Sequence, residues 1–327
     1  MIGLFSLLVI VSCNNPNAKK NTVKDQSTKE TMKVEAKMPV EWSKNANIYE
    51  VNLRQYSEEG TLQAFAQQLP RLKEMGVDIL WFMPIHPISE KNKKGSLGSY
   101  YAISNYKEVN PEFGTLEDFK AVVDQAHELG MYVLLDWVAN HTGWDHHWTE
   151  TNPEFYEKGE DGELISPYDW SDVISLDYNN QQMRTEMLSA LKYWVIEANI
   201  DGYRCDVASE VPTDFWENVR TELDKIKPVF MLAESEESDL LEMAFDMNYG
   251  WELHHIMNGI AKGEKNTQEV MKYLEKEEKN TPERAYKMYF LTNHDENSWN
   301  GTIEERLGEA AKAMAVLTFT LHDMPLI

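Results

Sequence analysis

Short, continuous apolar runs that stop at a charged residue recur along this chain, and they limit what it can fold into. Residues 131–135 run into Asp136, 200–203 into Arg204 and Asp206, 229–233 into Glu234, and 285–292 into Asn293-His294-Asp295. A run without polar alternation suits a strand buried on both faces, as in a parallel sheet covered by helices. Stretches with apolar residues at helical spacing separate these runs: 61–75, 116–129, 181–197, 213–226, one or two helices within 251–279, and 303–315. Gly76 and Gly130 stop the first two. Further strand signals lie at 47–56, at 77–83, more weakly at 243–247, and in the apolar run 316–327. Strands alternating with helices predict an α/β fold, and about eight strand signals fit a (β/α)8 TIM barrel. An open doubly wound sheet is the alternative, but no glycine-rich phosphate loop supports it.

One segment breaks the rhythm. Residues 141–178 are rich in Trp, His, Asp, Pro and Gly and have no clear period. They are too long for an ordinary loop, so they predict a small inserted domain after the third strand. The chain of 327 residues has room for one such barrel.

The formal net charge of −24 argues against nucleic acid or anionic lipid as a partner. Ten Trp and fifteen Tyr exceed what a core this size needs and suit flat ligands such as sugar rings. A Cys13–Cys205 disulfide is the one pairing arithmetic allows; one residue in a leader and the other in a core strand argue against it.

Residues 1–11 are almost wholly apolar, too short to span a bilayer but suited to a signal-peptide core. Ile10-Val11-Ser12-Cys13 resembles a bacterial lipobox, in which the cysteine becomes the lipid-bearing first residue; no Lys or Arg precedes the apolar run, which departs from that pattern. Residues 14–40 read as a polar, disordered tether and 41–327 as the folded domain. The expectation is an extracytoplasmic, lipid-anchored protein of a bacterial cell envelope, in contact with a membrane only through that lipid.

In a barrel the C-terminal strand ends converge on one face, where barrel enzymes keep their chemistry. A strand that ends in charge is ordinarily a structural detail, and each carboxylate alone could be a helix cap. Four in register are harder to explain that way. Arg204 and Asp206, two apart, share a strand face, and a guanidinium beside a carboxylate holds it ionised and aimed. Clustered carboxylates raise one another's pKa, so one can stay protonated as an acid while another is the nucleophile, the apparatus of glycoside hydrolysis. A transition-metal site lacks the required His or Cys spacing.

These segments resemble the four signatures of the α-amylase superfamily, glycoside hydrolase family thirteen, across about residues 45–327. They are Asp136-Trp-Val-Ala-Asn140-His141, Gly202-Tyr-Arg204-Cys-Asp206, Leu232-Ala-Glu234 and Asn293-His294-Asp295. The resemblance implies a retaining hydrolase of α-glucosidic bonds in starch-like glucans or malto-oligosaccharides. Asp206 would be the nucleophile, Glu234 the acid and then the base, and Asp295 would hold sugar hydroxyls. Arg204 would keep Asp206 ionised, His141 and His294 would bond the −1 sugar, and Asp136 would order the subsite. Gly98-Ser-Tyr100-Tyr101-Ala102, before Asn110-Pro-Glu-Phe-Gly-Thr115, resembles the stretch carrying the tyrosine that stacks on that sugar, and counting back favours Tyr101. The insertion would be domain B, with Asn140 a candidate calcium ligand; the chemistry itself needs no cofactor.

The chain departs from the family pattern in two places. Ser209 and Glu210 stand where many α-amylases carry a Lys-His pair that serves acceptor binding and calcium. His322-Asp-Met-Pro-Leu-Ile327 resembles the eighth strand, with no eighth helix or C-terminal β-sandwich after it, which predicts a truncated barrel with an apolar edge and an unclosed wall. Rival readings are a transglycosylase using the same intermediate, a non-catalytic family member, and an inactive truncated product. The presence of both Asp206 and Glu234 argues against the second. Oligomeric state leaves no signature in the sequence.

Overall fold

The structure, a computed structural model, describes residues 38–327. The leader, Cys13 and the tether as far as residue 37 lie outside the described residues. Eight parallel strands form one sheet in the order β1 (Ile48–Val51), β2 (Ile79–Phe82), β3 (Tyr132–Trp137), β6 (Gly202–Cys205), β7 (Phe230–Ala233), β8 (Met247–Tyr249), β9 (Tyr286–Tyr289) and β10 (Met324–Pro325). Between β3 and β6 the chain makes a separate antiparallel pair, β4 (His141–Gly143) with β5 (Val173–Ser175), inside the segment expected to be an insertion.

The sheet curls into a (β/α)8 barrel. Leu326 bridges Ile48 in parallel, and the Ile327 N–H donates to the Ile48 carbonyl at 2.7 Å. The expectation of an unclosed wall is thereby corrected. The last strand is only two residues long, yet Met324 and Leu326 both point into the barrel and complete its interior.

Strand period fixes which side chains face the centre. Ile48, Ile79, Trp81, Leu134, Phe230 and Leu232 belong to the inner cluster. Their strand neighbours Val51, Leu80, Val133, Tyr203, Met231 and Ala233 pack outward against the helices. The alternation therefore carries Glu50, Asp136, Arg204, Asp206 and Glu234 to the interior at its upper end. Cys205, one residue out of phase, is buried in the outer layer as a free thiol.

Gly202 is demanded by the crowding of β6 on β7. It has φ 154°, and a Cβ there would sit 1.8 Å from the Phe230 carbonyl oxygen. At the lower end of the same strand, Asp201 accepts from the Val133 N–H at 2.9 Å and pairs with His127 at 2.7 Å and Lys227 at 2.9 Å, which makes it a structural clamp.

Several elements differ from the sequence reading. The first strand ends at Val51, and Leu53–Tyr56 is already helical. The helix expected at 61–75 breaks into Leu62–Ala66 and Leu69–Glu74, with Pro70 in the first turn of the second, where its missing N–H costs nothing. The strand expected at 243–247 starts only at Met247. Asp246 holds that turn by accepting from the Met231 N–H and from Arg220, each at 2.8 Å. The helix expected at 303–315 breaks at Gly308 (φ 51°) and resumes as Ala311–Thr320, well into the run read as strand. A uniformly apolar run has no period to tell the two apart. Among the described residues, no helix is long and apolar enough to cross a membrane.

Candidate active site

Arg204 is the hub of the upper barrel and is fully buried. Its Nη1 donates to Asp136 Oδ1 at 2.9 Å and to Asp206 Oδ1 at 3.0 Å. Its Nη2 lies 2.6 Å from Glu234 Oε1, an ion pair rather than an aligned hydrogen bond. Nε donates to the Tyr249 hydroxyl at 3.1 Å, and the guanidinium carbon sits 5.0 Å from the centre of the Trp81 ring. One cation thus faces three carboxylates from three strands. An Arg fork can do this because its donors are fixed in one plane, and burial makes each contact count for more.

Glu234 is aimed by the chain that carries Asp206. Val207, the next residue, has φ 36° and ψ 51°, a left-handed conformation that strains a β-branched side chain by about 1–3 kcal/mol. That turn brings the Val207 N–H within 2.7 Å of Glu234 Oε2. Strain in the strand end therefore appears as orientation of a carboxylate.

Asp136 is wholly buried and takes donors on both oxygens. Oδ1 receives Arg204, and Oδ2 receives Trp81 Nε1 at 3.0 Å and the Tyr101 hydroxyl at 3.1 Å. Burial pushes its carboxyl up to about 6 against the pull of Arg204. Burial, followed by the charge of Glu234, pushes Asp206 well above the usual carboxylate range, with Arg204 opposing. Asp295 is the most open of the four strand-end carboxylates and is also raised, by its low-dielectric surroundings first. Asp136, Asp206 and Asp295 retain protons to higher pH than free carboxylates would, first because burial disfavours the ionised form, an effect the Arg204 guanidinium offsets only in part.

The two histidines are in opposite states. Burial holds His141 down to about 4, so it is neutral at neutral pH, with Asn140 3.3 Å from its Nδ1 and Trp170 edge-on at 5.5 Å. Burial also lowers His294, but contact with Glu50 wins and raises it to about 9. Its Nε2 lies 2.8 Å from the Tyr101 hydroxyl and 3.4 Å from Asp295, and Tyr101 stacks on its ring at 5.5 Å. Tyr100 points away, donating to Asn52 at 2.9 Å with Arg54 over its ring.

Every catalytic and sugar-binding residue expected from the sequence except His141 is linked into this network; His141 stands on β4 beside it. Glu50, Trp81, Tyr249 and the Val207 N–H were missed. Glu50 left one signal, a charge in the middle of the short strand Ile-Tyr-Glu-Val. Trp81 and Tyr249 look like any core aromatics.

Asn140 is the candidate calcium ligand of the sequence reading. Its amide nitrogen turns toward His141, and among the described residues no three carboxylate, imidazole or thiolate side chains converge to hold a metal ion. Calcium needs six or more oxygens at short range, so no step is assigned to it. Beyond Asn140 a cavity of about 480 Å³ opens between the insertion and the β6 side, lined by Glu157, Tyr168, Tyr178, Arg184 and Glu210 among others. Glu210, at the departure from the usual Lys-His pair, faces this space.

The family model described as alpha amylase, catalytic domain, matches residues 17–161 and 168–327. The chain belongs to the α-amylase family. It is 38% identical to an α-amylase from Lactobacillus plantarum of known structure, with a TM-score of 0.82 over 88% of this chain and 71% of that one. It is 27% identical to the α-amylase MalA of Haloarcula japonica over 88% of this chain and 44% of the relative. An α-1,4-glucan:maltose-1-phosphate maltosyltransferase of Salinibacter ruber is 32% identical over 54% of this chain and 30% of the relative. The chain spans less than half the length of these two curated relatives. Hydrolases and transferases of the α-amylase family are thus both among its kin.

Proposed function

We propose that this domain hydrolyses α-glucosidic bonds of malto-oligosaccharides or starch-like glucans with retention of configuration. The observation that carries the reading is the single guanidinium of Arg204 bridging Asp206 and Glu234 at 3.0 and 2.6 Å. Asp206 attacks the anomeric carbon while Glu234 gives its proton to the departing glycosidic oxygen, leaving a glycosyl ester on Asp206. Glu234, now ionised, takes a proton from water as that water attacks the anomeric carbon, and Asp206 leaves as carboxylate. Arg204 stabilises the charge that returns to Asp206, and Asp295 and His294 line the sugar side. Neutral His141 has one ring nitrogen to donate and one to accept; Nδ1 faces the Asn140 amide at 3.3 Å, which leaves Nε2 for a sugar hydroxyl.

The test is Asp206→Ala and Glu234→Gln with anomer detection by NMR on maltoheptaose. Loss of turnover in both variants with α-products first from the wild type is expected; β-products first, or substantial activity in either variant, refute the mechanism. Transfer to a sugar acceptor is the second reading, favoured by the maltosyltransferase relative. Oligosaccharides longer than the substrate among the products would establish it. The proposal also places the domain outside the cytoplasm of a bacterial cell through lipid on Cys13. Incorporation of labelled palmitate into the full chain and its loss in Cys13→Ala test that placement.

A further inference from the structure

We propose that Glu50, on β1, is a positioning residue whose carboxylate clamps His294 at two atoms and fixes the ring that faces the sugar. The inference rests on the hydrolytic reading for its consequence but not for its geometry. Glu50 Oε1 lies 2.5 Å from His294 Nδ1, and Oε2 accepts the His294 backbone N–H at 3.1 Å. Both side chains are mostly buried, at 13% and 14% exposed. A carboxylate inside a strand whose other inward residue is Ile48 is costly unless it is fully used. Here both oxygens go to one residue.

Hydrogen-bond bookkeeping then sets the protonation of the ring. The Tyr101 hydroxyl has one proton, which it donates to Asp136 Oδ2 at 3.1 Å. Toward His294 Nε2, 2.8 Å away, it can therefore only accept, so Nε2 carries a proton. Nδ1 lies 2.5 Å from Glu50 Oε1, and a carboxylate whose other oxygen already accepts the backbone N–H accepts here too, so Nδ1 carries a proton as well. Both nitrogens are donors, and His294 is an imidazolium. The groups around it agree on balance. Glu50 on β1 and Asp295 on its own helix favour the cation, Asp136 on β3 lies beyond Tyr101, and Arg204 on β6 opposes. Trp81 presents its ring at 6.0 Å and carries no charge. The upper barrel thus holds a second cation, joined to Asp136 through the Tyr101 hydroxyl, and Glu50 keeps it charged.

The direct test is a ring-nitrogen NMR titration of the full chain without substrate, with His294 assigned by difference against His294→Asn. Wild-type His294 is expected to stay protonated past pH 8, and in Glu50→Gln, where burial and Arg204 still lower it, to titrate at or below 6.5. The second readout is kcat/KM of Glu50→Gln relative to wild type at the same pH, which cancels the titration of groups common to both. The ratio should fall at least about 30-fold between pH 5 and pH 8, the change in charged fraction between titration near 9 and at or below 6.5. Glu50→Asp should recover part of it. A wild-type His294 titrating at or below 6.5, or identical titrations in the two proteins, overturns the inference, and the first of these needs no variant to fold. If the titrations differ as expected but the wild type has no activity on α-glucans, the positioning stands and the hydrolytic reading fails.

Discussion

His86 should make the domain acid-sensitive, by an amount the structure sets. It is wholly buried among Tyr106, Trp137 and Trp194, with His146 of the insertion also packed on Tyr106. Its Nδ1 lies 3.2 Å from the Glu108 carbonyl, and its Nε2 has no hydrogen-bond partner among the described residues. Burial holds its pKa down to about 4 against 6.5 in a free chain. The unfolded state therefore binds the proton first. The contribution to stability is fully present above about pH 6.5, shrinks as pH falls below that value, and is gone by about pH 4. A drop from 6.5 to about 4 corresponds to about 3 kcal/mol, a large share of the 5–15 kcal/mol roughly typical of a folded domain. Asp136, raised to about 6, works in the opposite direction: its contribution is present below about 3.8 and is lost as pH rises through 6. The two slopes oppose each other in the wild type, so the wild-type curve alone is no test. His86→Asn keeps a donor for the Glu108 carbonyl and leaves Asp136 untouched. Urea unfolding of both proteins at pH 7, 6, 5 and 4 isolates the difference. The wild-type advantage should shrink by about 3 kcal/mol between pH 7 and pH 4. Parallel stability curves would refute the burial argument, whatever the absolute stability of the variant. His146, also held down by burial and by its His86 neighbour, titrates less far from its free value in the variant, which makes the expected convergence a little larger.

Other substitutions test the scaffold of the site. Gly202→Ala places a Cβ 1.8 Å from the Phe230 carbonyl oxygen at φ 154°, so it should cost roughly 3 kcal/mol or more; a thermal melt within a degree of wild type would contradict that. Asp136→Asn leaves one acceptor for the three donors Arg204, Trp81 and Tyr101 and should lose about 1–3 kcal/mol along with turnover; unchanged urea midpoint and kcat would show the network to be incidental. Arg204→Lys keeps the charge but cannot reach Asp136, Asp206 and Glu234 together, so kcat should fall by at least about 100-fold with the fold intact, as checked by kcat on maltoheptaose beside circular dichroism.

Much of the site could be read from residue order because strand ends in a parallel barrel share one face. Asp136, Arg204, Asp206, Glu234 and Asp295 each close an apolar run, and that position alone carries them to the same rim. Trp81 escaped because nothing local separates a barrel-lining aromatic from one in the outer core, and the charge of Glu50 within its strand does not say which residue it meets. Their partners lie 55 and 244 residues away. A metal role for Asn140 is not legible in the sequence for a related reason: a ligand set is made of groups far apart in the chain, and only their convergence defines it. The second half of the helix Ala311–Thr320 reads as strand in the sequence because Val-Leu-Thr-Phe-Thr, residues 316–320, carries no polar rhythm.

By itself the sequence determined the alternation of strand and helix, the phase of each buried strand, and hence which charges reach the catalytic face. These depend on local periodicity, which a chain carries wherever it goes. Tertiary structure alone decided how the charges are divided. It gave one guanidinium to three carboxylates, and it bent Val207 into a left-handed turn that aims Glu234. It set Glu50 against His294, leaving that histidine charged and His141 neutral. It also closed the barrel through a single bridge between Ile48 and Leu326. Charge state and closure depend on distances of a few ångströms between residues far apart in the chain, and those exist only once the barrel has formed.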